Sequence, residues 1–163
     1  MVYWLTLLSD GGDFFNLFRY ITFRAGGAFL TSLLFGFVFG KPLINLLRRR
    51  QGRGQPIRSD GPEGHQSKAG TPTLGGALIL GVLVVSTLLW ARLDNMHIWV
   101  VLFVTIGFGA IGFADDYAKV SKQTSAGVSG RVRLGLGFVI ALIAALVAAQ
   151  LHPEGLRLQV AVP

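Results

Sequence analysis

The chain has 163 residues, of which 52% are hydrophobic and 14% charged, with a mean hydropathy of +0.56. Soluble domains carry about 25% charged residues, so this chain sits far to the apolar side, and with no cysteine a disulfide framework and a thiolate metal site are excluded. The formal net charge of +7 does not indicate a nucleic-acid partner, because the basic residues flank apolar blocks instead of forming one face.

Four apolar blocks follow one another along the chain, at about 20–40, 74–91, 98–114 and 134–151. Each is roughly 17 to 21 residues long, about 26 to 31 Å of helix, which suits a hydrocarbon core of about 30 Å. Only helices or closed barrels satisfy their backbone in lipid, and the period-two alternation of barrel strands is absent. The pattern predicts an all-α polytopic membrane protein with four transmembrane helices in one multi-span domain. The first block is not a cleaved signal peptide: it starts late, its flanking charges are wrong, and no A-x-A site before a soluble domain follows. Arg24, near the outer end of this block, is expected to snorkel toward the headgroups. Gly36 and Gly40 form a GxxxG pair, a spacing that packs helices and also arises by chance. Trp4, Trp90 and Trp99 lie where interfacial belt residues are expected.

Most of the 15 Lys and Arg residues fall in two loops, about 41–73 and 115–133. The first holds Lys41, Arg48, Arg49, Arg50, Arg53, Arg58 and Lys68, and the second Lys119, Lys122, Arg131 and Arg133. This bias predicts two cytoplasmic loops and both termini outside. The tail after Leu151, HPEGLRLQVAVP, reads as a cut and not as a closing element.

Within the first loop, RSDGPEGHQSKAGTPTLGG is rich in Gly and Pro directly before the second block. Its backbone permits close approach, Lys68 is a compact cation suited to phosphate, and Thr71 and Thr73 add hydroxyls. Gly-rich backbone before a helix start commonly binds anions, although the Walker order G-x4-G-K-[ST] is absent. Read alone, the same stretch is more simply an ordinary turn into a membrane helix. His65 is a loop histidine for which solvation is the plain reading.

The second constellation is GFADDYAKV, where Asp115 and Asp116 follow the third block. A carboxylate at the edge of hydrocarbon is costly to desolvate and normally has a partner or a task. If the helix continues, adjacent side chains diverge by about 100°, so the two acids cannot face one point, and Lys119 is within reach of either. One reading is an acid pair with split roles, one carboxylate toward Mg²⁺ or a reacting group and the other toward structure or Lys119. The other reading is a solvated helix end.

Taken together, TFRAGGAFLTSLLFG, RSDGPEGHQSKAGTPTLGG and GFADDYAKV make the chain resemble the phospho-N-acetylmuramoyl-pentapeptide transferase family, within the polyprenyl-phosphate N-acetylhexosamine-1-phosphate transferase superfamily. The resemblance covers the whole chain but only about the first half of the family's length. Leu74 stands where Met is common in the family, and Arg133 where Lys is usual.

The resemblance implies a Mg²⁺-dependent enzyme of the bacterial cytoplasmic membrane, with its active side cytoplasmic. It would transfer phospho-MurNAc-pentapeptide from UDP-MurNAc-pentapeptide to undecaprenyl phosphate, giving lipid I and UMP. It further implies catalytic roles for Asp115 and Asp116 and substrate binding by Lys68, Thr73 and Lys119, with no metal ligand assigned. Membrane lipids are expected partners, a homodimer is compatible, and the chain alone is expected to be incomplete and inactive. Two alternatives stay open: a related N-acetylhexosamine-1-phosphate transferase, and a non-enzymatic membrane subunit that binds lipid headgroups.

Overall fold

A computed structural model describes residues 1–51, 75–122 and 127–151. Four α-helices carry the architecture: α1 (Ile21–Gln51), α2 (Gly76–Trp90), α3 (Met96–Lys122) and α4 (Gly130–Leu151). Two short 3₁₀ segments, Val2–Leu8 and Phe14–Arg19, precede them, and no strand occurs among the described residues. The all-helical expectation therefore holds. Helices α1, α3 and α4 are long and apolar enough to cross a membrane, and α2 is a shorter apolar helix of 15 residues.

The helix bounds differ from the sequence reading at their polar ends. Helix α1 runs for 31 residues, through Pro42 to Gln51, and does not stop near 40. Proline removes one backbone donor and crowds the preceding turn. Leu43, Ile44, Leu46 and Leu47 then restore an apolar run, and Arg48, Arg49 and Arg50 in the last turn suit the negative end of the helix dipole. Helix α3 likewise continues past Ala114 to Lys122, and α4 begins at Gly130, so the loop expected at 115–133 is largely helical. Good helix formers and the i,i+4 pairing of Asp115 with Lys119 carry α3 onward.

Successive helices pack antiparallel. Ser32 Oγ donates to Ser86 Oγ at 2.8 Å, and Trp90 Nε1 donates to Thr31 Oγ1 at 2.9 Å, which pins α1 to α2. The Trp90 ring lies over Gly27 so closely that any side chain there would collide with it. Trp90 is thus more than a belt residue: with Phe18 and Phe23 it forms an aromatic cluster that seats the second 3₁₀ segment. The GxxxG pair is not the closest approach, since among the described residues nothing lies within 4 Å of the Gly36 Cβ position and only Leu78 reaches that of Gly40.

The turn from α2 to α3 is built by its polar residues. Asn95 Oδ1 accepts the His97 backbone N–H at 3.0 Å and so caps α3. Arg92 and Asp94 pair at 2.8 Å, and the Arg92 hydrogen bond holds the Asp94 carboxyl below its ordinary range. This antiparallel order sets the end of α1, the start of α2, the end of α3 and the start of α4 at one end of the molecule, and the α2–α3 turn at the other.

The apolar side chains point mostly outward. Among the described residues only Phe18, Leu102 and Ala144 are buried hydrophobics, while Phe29, Phe37, Leu134 and Phe138 stand exposed. In water such a surface would be unstable; against lipid chains it is the expected arrangement. The described helices are those of a multi-pass membrane protein.

Candidate functional site

Because α3 stays helical through its acid pair, Asp115 and Asp116 point in different directions. Asp115 turns inward and is 7% exposed, whereas the Asp116 side chain is 40% exposed. Asp115 is held on three sides. Lys119 Nζ lies 2.7 Å from Oδ2, the Val128 backbone N–H donates to Oδ1 at 2.8 Å, and Arg133 Nη1 stands 3.7 Å from Oδ2. Those contacts tie the last turns of α3 to the segment before α4 and to α4 itself. Two cations and a backbone donor favour the ionised carboxylate despite its burial.

Gly127 makes this clamp possible. Its backbone passes against the Asp115 carboxylate, where an added Cβ would meet the carboxylate itself and, at 2.9 Å, Lys119 Cε. Sequence reading passed over Gly127 and Val128. The glycine in TSAGVSG is a signal of close backbone approach, whereas a backbone N–H such as that of Val128 leaves no mark in the sequence.

Asp116 is bound more loosely, with Oδ1 3.6 Å from Lys119 Nζ. Both acids close one end of a cleft of about 690 Å³ between α2 and α3. Gly76, Ala77 and Gly81 line one wall and Ala110 and Gly112 the other, Leu80 packs against Gly109 where the helices meet, and Leu80, Val84, Val85, Ile106 and Phe113 make the cleft apolar. A long apolar cleft ending in two carboxylates, with Lys119 paired to both, can take an amphiphile lengthwise, with its polar head at Asp116.

The structure thus brings Asp115, Asp116 and Lys119 together and adds Arg133. Lys68 and Thr73, with His65 and Thr71, lie outside the described residues. The wall onto which their segment leads, Gly76 and Ala77, borders the cleft beside the acid pair.

No cluster of three metal-ligating side chains occurs among the described residues. Asp115 is committed to its clamp, so Asp116 is the carboxylate with room for a cation. One carboxylate fits Mg²⁺, which keeps several waters and is commonly completed by substrate phosphates.

No family model matches the chain. It is 73% identical over all 163 of its residues to a phospho-N-acetylmuramoyl-pentapeptide-transferase of Ruegeria sp. (strain TM1040). It is 70% identical over the same length to the enzyme of that name from Ruegeria pomeroyi, and 67% identical over 164 aligned residues to that from Dinoroseobacter shibae. The chain spans 45% of the length of each of these curated relatives. At such identity over every residue, the chain is similar to the N-terminal portion of these phospho-N-acetylmuramoyl-pentapeptide transferases.

Proposed function

We propose that the chain supplies the N-terminal part of one multi-span membrane domain that transfers phospho-MurNAc-pentapeptide from UDP-MurNAc-pentapeptide to undecaprenyl phosphate, releasing UMP and forming lipid I. The observation that carries this reading is the apolar cleft ending at Asp116 and the clamped Asp115, in a chain so close in sequence to transferases of that name. The acceptor has an apolar tail and a phosphate head. The tail suits the α2–α3 cleft and the head the polar end, where Lys119 and Arg133 supply positive charge.

In this reading Asp115 is a positioning residue. Fixed by Lys119, Val128 and Arg133, it holds the end of α3 against α4 and sets the direction of Asp116. Asp116 orients the acceptor phosphate or takes its proton, so that a phosphate oxygen can attack the diphosphate as UMP departs. Lys68 and Thr73 bind diphosphate oxygens from the segment before α2. Mg²⁺, when bound, would offset phosphate charge, with Asp116 its carboxylate in this chain.

The positive charges flanking α1 to α4 further support four spans, with both loops in the cytoplasm, residues 1–19 outside and the site at the inner face of the bacterial cytoplasmic membrane. There a water-soluble nucleotide substrate and a membrane-tethered acceptor can meet. The test uses the full-length protein in vesicles, with labelled UDP-MurNAc-pentapeptide, undecaprenyl phosphate and Mg²⁺. Label moving into the lipid phase with release of UMP is expected; label that stays water-soluble would refute the reading.

A further inference from the structure

The end of the molecule remote from Asp115 carries a second cluster of polar side chains. Arg24, expected to snorkel, is instead 9% exposed, and its Nε is buried with no hydrogen-bond partner among the described residues. Tyr3, from the first 3₁₀ segment, covers it: the Arg24 guanidinium carbon lies 4.9 Å from the Tyr3 ring centroid. Arg92 approaches the same ring, at 4.7 Å. Two guanidinium groups therefore share one aromatic platform. The carboxylate beside them, Asp94, is hydrogen-bonded to Arg92 at 2.8 Å.

Arg24 opens onto a pocket of about 320 Å³ between the start of α1, the end of α2 and the start of α3, whose walls are mostly apolar (Ile21, Ala25, Trp90, Ile98) and whose polar groups include Thr87, Arg92 and Asn95. The Oδ1 atom of Asn95 is used in capping α3, so its amide nitrogen remains as a donor. A ring face offsets part of the cost of burying a guanidinium, but it gives the N–H groups no acceptor. A buried arginine of this kind, with a second arginine and an amide around an open pocket, fits an oxyanion of matching fork geometry. The pocket lies at the ends of apolar helices, the depth at which lipid phosphates are concentrated.

We propose that this pocket binds a phosphate group, held by Arg24 with help from Arg92 and Asn95, as carried by a phospholipid headgroup at the membrane face opposite the acid pair. The site is separate from the transferase chemistry and does not depend on it. The same recognition would accept free phosphate, and the experiment separates the two sources.

The full-length protein, stripped of lipid in detergent, is titrated with phosphatidylglycerol, with diacylglycerol of the same tails, and with inorganic phosphate. Native mass spectrometry counts bound lipid, and Trp fluorescence follows the Trp90 pocket. The expected result is one tightly held phosphatidylglycerol whose affinity falls about tenfold or more in Arg24→Gln, consistent with loss of a charge-assisted hydrogen bond, and less in Arg24→Lys. Inorganic phosphate that displaces the lipid at micromolar concentration would keep the phosphate site and assign it to the free anion. Diacylglycerol binding as tightly as phosphatidylglycerol, or Arg24→Gln binding like the wild type, would overturn the proposal. If Arg24→Gln does not fold, Arg92→Gln decides, since Arg92 is half exposed in a turn; weakened binding supports the site and unchanged binding overturns it.

Discussion

At the level of single residues, Asp115 and Asp116 are neighbours with opposite surroundings. The sequence alone shows an acid pair, a lysine four residues after the first acid, and the divergence that a continuing helix imposes. It does not show which acid turns inward, because that depends on where α4 packs and on the course of the Gly127 backbone. The contacts of Asp115 lead to specific expectations. Lys119→Ala removes the closest cation of Asp115 but leaves Arg133 and the Val128 N–H, and should destabilise the folded protein by about 1–2 kcal/mol, between the values for exposed and fully buried pairs. A thermal melt in detergent measures this. Gly127→Ala forces the Asp115 carboxylate aside, so it should weaken the same clamp while leaving helix content unchanged by circular dichroism.

At the scale of elements, the four helices were readable from apolar blocks, since length and hydropathy are local properties. Their ends were not. Charged and proline residues look like loop in a hydropathy reading, yet α1 passes through Pro42, and α3 carries its acids and Lys119 on two further turns. Those extensions are what lift the candidate site beyond the apolar stretch. Helix packing was also illegible: the GxxxG pair stands open, while Gly27 receives the Trp90 ring. Gly27→Val should therefore separate α1 from α2 and cost about 1–3 kcal/mol, typical of overpacking a close contact. Gly36→Val, facing open space, should change the melting temperature little. A result with the two reversed would contradict the packing described.

For the whole molecule, the described helices carry an outward apolar surface and hold polar clusters at both ends, the arrangement of a multi-pass membrane protein. The absence of cysteine gives a clean test of the proposed orientation. In a full-length protein otherwise free of cysteine, Lys122→Cys should react with a membrane-impermeant thiol reagent only in inside-out vesicles, and Met96→Cys only in intact spheroplasts. The segment with Lys68 and Thr73 lies outside the described residues, and its proposed role rests on its place in the sequence before Gly76 and on the resemblance to relatives.

The central claim is that Asp116, at the mouth of the α2–α3 cleft, serves the transfer itself while Asp115 holds it in place. The direct measurement is the rate of lipid I formation by full-length Asp116→Asn beside the wild type, with matched expression, membrane insertion and melting temperature. The account predicts a fall of about 10²–10⁴-fold, the range for loss of a positioned acid–base group. A variant that folds normally and retains near wild-type turnover would contradict it.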